Sequence, residues 1–162
     1  MIFEEVKIYD VDMFTDFRGD IFTSYKEPTF EPKIKFVHDK FSSSRKNVLR
    51  GLHGDFSTWK LVSCLHGEVY FVVVDNRKDS PSYLEWDWMI LDDKRRKQVL
   101  LPPGFANGFY VLSDHALFGY KLSYPDEYAD IDEQFALKWN DEIIGIHWPC
   151  SDPILQKRDS HE

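Results

Sequence analysis

His53 closes the run Arg50-Gly51-Leu52-His53, and Lys60 follows after a short loop. An imidazole titrates near neutral pH, so His53 is suited to take a proton from carbon. Cationic groups beside such a base can hold the oxygen of an enolate. Together these residue types point to proton abstraction next to a carbonyl. The local spacing raises a geometric problem. Along a strand, residues 51 and 53 face one way while Arg50 and Leu52 face the other. A twist or bulge after Gly51 is needed to bring Arg50 and His53 to one cavity.

The other histidines offer less. His66 and His115 lie at turn signals, and His161 adjoins the end of the chain. There is no His-x-His pair, nor a second His or Glu at helical ligand spacing from His53, so no metal is expected. His66 and Glu68 read equally as ligands across a hairpin or as a turn and its flank. Cys64 and Cys150 lack both zinc-ligand spacing and disulfide density and read as reduced thiols.

The elements that must position these groups are short. The 162 residues amount to one domain, 43% apolar and 16% aromatic, which excludes disorder, collagen and coiled coil. A net charge of −8 opposes a nucleic-acid partner, though not a phosphate-bearing ligand held by a few clustered cations. No signal peptide and no run of about 20 apolar residues is present, so the chain reads as cytoplasmic with no membrane partner. β-prone runs recur between turn signals at Ile21–Tyr25, Asn47–His53, Tyr83–Leu91, Gln98–Leu101, Gly108–Leu112 and Ala116–Ser123. Lys60–Leu65 and Glu68–Asp75 read as a hairpin about His66-Gly67, and Ser42 to Lys46 as a polar loop. Short helical turns fit near Pro28-Thr29-Phe30 and Asp130 to Phe135. The fold expected is all-β, an antiparallel sandwich or barrel, less regular from about Pro125 onward.

A series of loose motifs runs through the chain in order. It includes Asp16-Phe17-Arg18-Gly19, Val48-Leu49-Arg50-Gly51-Leu52-His53, Lys60-Leu61-Val62, Gly67-Glu68-Val69 and Asp75-Asn76-Arg77. Pro102-Pro103-Gly104-Phe105-Ala106-Asn107-Gly108-Phe109, Tyr120-Lys121, Trp139-Asn140-Asp141 and Ile146-His147-Trp148-Pro149 follow. The set resembles the dTDP-4-dehydrorhamnose 3,5-epimerase family over nearly the whole length. That resemblance implies a cupin-type jelly roll spanning residues 1–162, a homodimer, and catalysis without metal or redox cofactor. The implied substrate is a nucleotide-diphosphate-linked 4-keto-6-deoxy sugar. The family's base falls on His53, its orienting carboxylate on Asp159, its general acid on Tyr120 and its keto-oxygen lysine on Lys60. Its diphosphate-binding arginines fall on Arg18, Arg50 and Arg158.

The chain also departs from the family pattern. Asn107 stands where the turn usually has His, His38-Asp39-Lys40-Phe41-Ser42 replaces Gln-Asp-Asn-His-Ser, and Thr23 replaces Glu. The aromatic that stacks on thymine aligns near Pro125, with Tyr124 and Tyr128 as substitutes. These differences put His38, Lys40 and Asn107 among the substrate-contacting positions. His38-Asp39-Lys40-Phe41, Gly54-Asp55, and Leu122-Ser123-Tyr124 with Glu127-Tyr128 resemble a subgroup acting on GDP-linked 4-keto-6-deoxy-heptoses in capsule synthesis, which is the substrate expected here. A dTDP-linked hexose, and a binding protein without turnover, are the alternatives.

Overall fold

The computed structural model describes residues 1–27, 33–128 and 132–160. Its strands are β1 (Lys7–Tyr9), β2 (Met13–Asp16), β3 (Gly19–Phe22), β4 (His38–Arg45), β5 (Leu49–Gly54) and β6 (Trp59–His66). They continue with β7 (Glu68–Asp75), β8 (Trp86–Asp92), β9 (Gln98–Leu101), β10 (Phe105–Val111), β11 (His115–Ser123) and β12 (Phe135–Ala136). One short helix, α1, spans Lys157–Ser160. The expected helical turn at Pro28-Thr29-Phe30, the start of the one at Asp130, and His161 all lie outside the described residues.

Two five-stranded antiparallel sheets face each other, in the orders β1-β9-β6-β11-β4 and β12-β5-β10-β7-β8. β2 and β3 form a separate hairpin. Alternation along β7 explains both layers of the core. Val69, Phe71 and Val73 point between the sheets, where Phe71 and Phe109 both stack on Phe118 with all three rings inaccessible. Tyr70, Val72 and Val74 point outward under Trp139, Trp148 and Leu155 of the C-terminal segment. A strand covered on both faces needs apolar side chains at every position, hence the unbroken run from Val69 to Val74. Truncating one of the buried phenylalanines to Ala would cost about 3–5 kcal/mol.

Three expectations about local structure are corrected. β6 and β7 are not a hairpin, since β6 pairs with β9 and β11 while β7 pairs with β8 and β10. Gly67, at φ 80, turns the chain from one sheet to the other, and its N–H donates to Asp93. A Cβ there would lie 2.2 Å from the His115 carbonyl oxygen, so only glycine makes that corner. Ser42, Ser43 and Ser44 are strand residues of β4 and not a loop. Their polarity conceals the strand because its inner face lines a cavity and not the core. The region after Pro125 is irregular as expected, but Asp132 and Glu133 form a turn leading into β12 at Phe135 rather than a helical turn, and α1 near the C-terminus was not anticipated.

The Asp75-Asn76-Arg77 motif serves the fold. The inaccessible Asp75 carboxylate accepts hydrogen bonds from Arg77, Ser80 and Ser82, and the Arg77 guanidinium lies 4.4 Å over the Phe105 ring. Burial alone would raise the Asp75 pKa, but these donors hold it far below the ordinary carboxylate range. Asp75→Ala should therefore lower unfolding free energy by about 3 kcal/mol at neutral pH, measured by urea denaturation. A depressed folded-state pKa stabilises above the ordinary aspartate value of 3.8 and stops doing so as pH falls towards the folded value. The gap between the wild type and the variant should accordingly narrow below that pH.

Candidate active site

At one end of the sandwich the apolar filling gives way to a cavity of about 340 Å³ between the sheets. Alternation on β4 turns Lys40, Ser42 and Ser44 inward, and on β11 it turns Tyr120 and Leu122 inward after Phe118. The facing sheet supplies Arg50 and His53 from β5 and Asn107 from β10. Asn107 pairs with His53 while Phe109 pairs with Arg50, so two steps along β10 match three along β5. The extra residue is a bulge, and it brings Arg50 and His53 to the same cavity. The site also explains two glycines. A Cβ on Gly51 would meet the Gly108 Cα at 2.5 Å, so β5 and β10 can approach here only without side chains.

Asp159 reaches His53 from the far end of the sequence. Leu49 N–H donates to the Ile154 carbonyl and Ile154 N–H to the Asn47 carbonyl, which pins the C-terminal segment beside β5. α1 follows and sets the Asp159 carboxylate 2.6 Å from His53 Nε2. The Asp159 side chain is 1% exposed and that of His53 22%, so the pair is closed behind the imidazole and open in front of it. Gly51 N–H and the Gln156 amide also donate to Asp159. Burial would push the Asp159 pKa up, but the hydrogen bond and charge of His53 outweigh it and the carboxyl stays below its ordinary value. An ionised carboxylate on one ring nitrogen leaves the other free to take a proton and stabilises the imidazolium that results.

Lys60 enters from β6, in the sheet opposite His53. Its ammonium donates to the His53 carbonyl and to Asn107 Oδ1, each at 3.2 Å. Burial, with Lys40 nearby, lowers its pKa to about 8 against the opposing pull of Asp55. Tyr120 stands on the same sheet as Lys60, facing the sheet that carries the imidazole. Burial raises the Tyr120 pKa despite Ser42 and Arg50, so the phenol keeps its proton at neutral pH. The arrangement thus holds an imidazole oriented by a carboxylate, a protonated phenol on the opposite wall, and an ammonium bonded to the backbone of the imidazole's own residue.

The structure brings His53, Asp159, Lys60, Tyr120, Arg50, Asn107, Lys40 and Arg158 to this one place. It does not bring Arg18, which lies on the exposed β2–β3 hairpin paired with Asp16. His38 stands behind the lining, edge-on to Tyr124 and Tyr128. Of the two tyrosines weighed for stacking, Tyr128 lines the cavity, with Lys40 over its ring at 5.3 Å. Sequence reasoning missed Ser42, Ser44 and Gln156. Ser44 accepts from Arg50 Nε at 2.8 Å. Period-two alternation through Lys40, Ser42 and Ser44 was the signal for the serines, and Gln156 stands three residues before Asp159. No acidic side chain is among the described residues lining the cavity, while Lys40, Arg50, Lys60 and Arg158 all are. A chain of net charge −8 therefore offers a locally cationic recess.

An imidazole and a protonated phenol on facing walls of a jelly roll, with an ammonium nearby, form an arrangement that can move protons next to a carbonyl, as an isomerase requires. The comparisons with known proteins name the family. The model of the dTDP-4-dehydrorhamnose 3,5-epimerase family matches residues 1–162, and this chain belongs to that family. It is 43% identical to the dTDP-4-dehydrorhamnose 3,5-epimerase of Salmonella typhimurium, over 96% of this chain and 88% of the relative. The Legionella pneumophila epimerase, solved with dTDP-4-keto-L-rhamnose, superposes with a TM-score of 0.92 at 36% identity, covering 99% of this chain and 88% of that one. The Bacillus anthracis enzyme, solved with TDP and pyrophosphate, gives 0.91 at 34% identity, covering 99% and 94%. The chain is thus an isomerase of the carbohydrate-epimerase type with a cupin-type fold.

If the Lys60 ammonium is the group that meets the oxyanion, activity must fall as pH rises through about 8, where that lysine loses its charge. Tyr120, with its pKa raised, still holds its proton there. The kcat/KM profile should show this alkaline limb, and Lys60→Met should abolish activity at every pH. A limb unmoved in Lys60→Arg would assign it to another group.

Proposed function

We propose that the chain inverts C3 and C5 of a dTDP-linked 4-keto-6-deoxy-hexose. The observation that carries this reading is the His53–Asp159 pair facing Tyr120 across a cationic cavity. The dTDP-linked sugars in the names and bound ligands of the relatives support the nucleotide and the hexose. The GDP-linked heptose expected from the departures finds no support among them, and the dTDP-hexose alternative replaces it. Retention of base, acid and orienting carboxylate together weighs against a binding protein without turnover.

In this reading the 4-keto group acidifies the neighbouring C–H bonds. His53 takes the proton, Asp159 stabilises the imidazolium, and Lys60 donates to the enolate oxygen with Asn107 holding that ammonium in place. Tyr120 returns a proton from the other wall, which inverts the centre. Arg50, Arg158 and Lys40 face the diphosphate, and Tyr128 offers its ring to the base. No cofactor takes part. Correctly placed acids and bases contribute about 10²–10⁴-fold each, so His53→Ala and Tyr120→Phe should each lose at least that much in kcat.

The proposed homodimer is supported by the β2–β3 hairpin. Phe17 is 97% exposed at its tip and Phe14 and Ile21 more than 70%, a set of apolar side chains that none of the described residues covers. Arg18 stands beside them, so a second copy is what would let it approach a diphosphate. Light scattering at micromolar concentration should give twice the chain mass, and a monomer would remove the claim.

The central experiment is solvent exchange followed by NMR. With dTDP-4-keto-6-deoxyglucose in D₂O, deuterium should enter positions 3 and 5 as product forms. Exchange only with a GDP-linked heptose would restore the earlier expectation, and exchange at position 3 alone would narrow the reaction to one centre. Tyr128→Ala should raise KM more than it lowers kcat.

A further inference from the structure

Tyr120 presents an unsolved electrostatic problem in the reaction proposed above. When its O–H bond breaks and the proton forms the new C–H bond, the electron pair of that O–H stays on a phenolate in a desolvated wall. The enolate collapses back to the carbonyl, and the phenolate persists until solvent returns a proton through the cavity mouth. A buried anion is costly unless a donor is aimed at it.

Ser42 is placed to be that donor. It lies on β4, which pairs with β11 so that Lys40 is opposite Tyr120 and Ser42 opposite Phe118. Both Ser42 and Tyr120 face inward from this strand pair and line the same cavity, as diagonal neighbours. The Ser42 oxygen is buried, yet it has no hydrogen-bond partner among the described residues. The other two serines of the run are committed. Ser44 accepts from Arg50, and Ser43, on the outer face, shares a 2.7 Å hydrogen bond with His115. Arg50 also acts on Tyr120, but its Nε is anchored on Ser44, so its field is fixed. The Ser42 hydroxyl is uncommitted and can rotate to a new acceptor.

We infer that Ser42 is a positioning residue for the general acid, donating its hydroxyl hydrogen to the Tyr120 oxygen as negative charge develops there. It keeps its own proton throughout and does not touch the nucleotide. This rests on Tyr120 being the acid.

The test follows dTDP-4-keto-6-deoxyglucose in D₂O and compares deuterium entering unconverted substrate with product formed. The first of these reports proton abstraction and return by His53, the second protonation by Tyr120. Ser42→Ala should slow inversion roughly ten- to a hundredfold, the range for a hydrogen bond to a charged group, while exchange into substrate persists and KM holds. Ser42→Thr keeps the hydroxyl and should restore most of the inversion rate, which separates the donor's role from packing. Ser42→Ala inverting at the wild-type rate, or losing exchange and inversion in equal measure, would overturn the inference. Tyr120→Phe serves as the reference. If it inverts normally, the acid assignment itself fails. If it exchanges without inverting while Ser42→Ala behaves as wild type, only the role of Ser42 falls.

Discussion

A carboxylate with 1% exposure must have its charge answered, and the 2.6 Å contact between Asp159 and His53 is where this protein does so. Removing either partner would strand the other in a desolvated place. The contact also imposes conditions on distant parts of the chain. The C-terminal segment must be held against β5, which the hydrogen bonds between Ile154 and residues 47 and 49 accomplish. β5 must bulge so that His53 and Arg50 share a cavity, and β5 must lie against β10 closely enough to require glycine at 51. The orientation of one imidazole thus depends on both ends of the fold.

The same desolvation acts in opposite senses on the two groups of the facing sheet. It holds the proton on Tyr120, which suits a general acid, and loosens the proton on Lys60, which does not suit a cation meant to meet an oxyanion. The surroundings of Lys60 limit that loss. The His53 carbonyl and Asn107 Oδ1 accept from its ammonium, and the buried carboxylate of Asp55 raises its pKa. The nearby cation Lys40 lowers it. The cavity is therefore positive enough for a diphosphate without driving its most buried cation to neutrality below about pH 8.

How much of this was legible in the residues follows from what each element faces. β7, β9 and β10 are apolar because both of their faces are covered, so their runs read as strands directly. β4 was hidden because its inner face serves the cavity with Lys and Ser, and polar residues in a row look like a loop. The false hairpin at Gly67 has a different cause. Two adjacent strands and a turn residue specify a reversal of direction but not whether the second strand pairs with the first or crosses to the facing sheet, and that choice is made by contacts far away in sequence. Arg50 and His53 posed a visible problem of facing, and the bulge is its solution. Asp159 could not be found from spacing, since nothing local links it to a histidine 106 residues earlier. Only the family resemblance pointed to it.

Asn107 shows why a departure from the family pattern can be read through its neighbours. It pairs with His53 across β5 and β10 and accepts a hydrogen bond from Lys60, so it touches the base through the backbone and the cation through its side chain. A histidine there would present Lys60 with a ring that accepts only in one tautomer and repels it when protonated. An asparagine accepts without ever becoming charged. Because Lys60 already loses its proton unusually early, a neutral acceptor at 107 preserves its charge across neutral pH. In the proposed reaction, the stabilisation of the enolate then falls to Lys60 more heavily than it would with a second cationic side chain beside it.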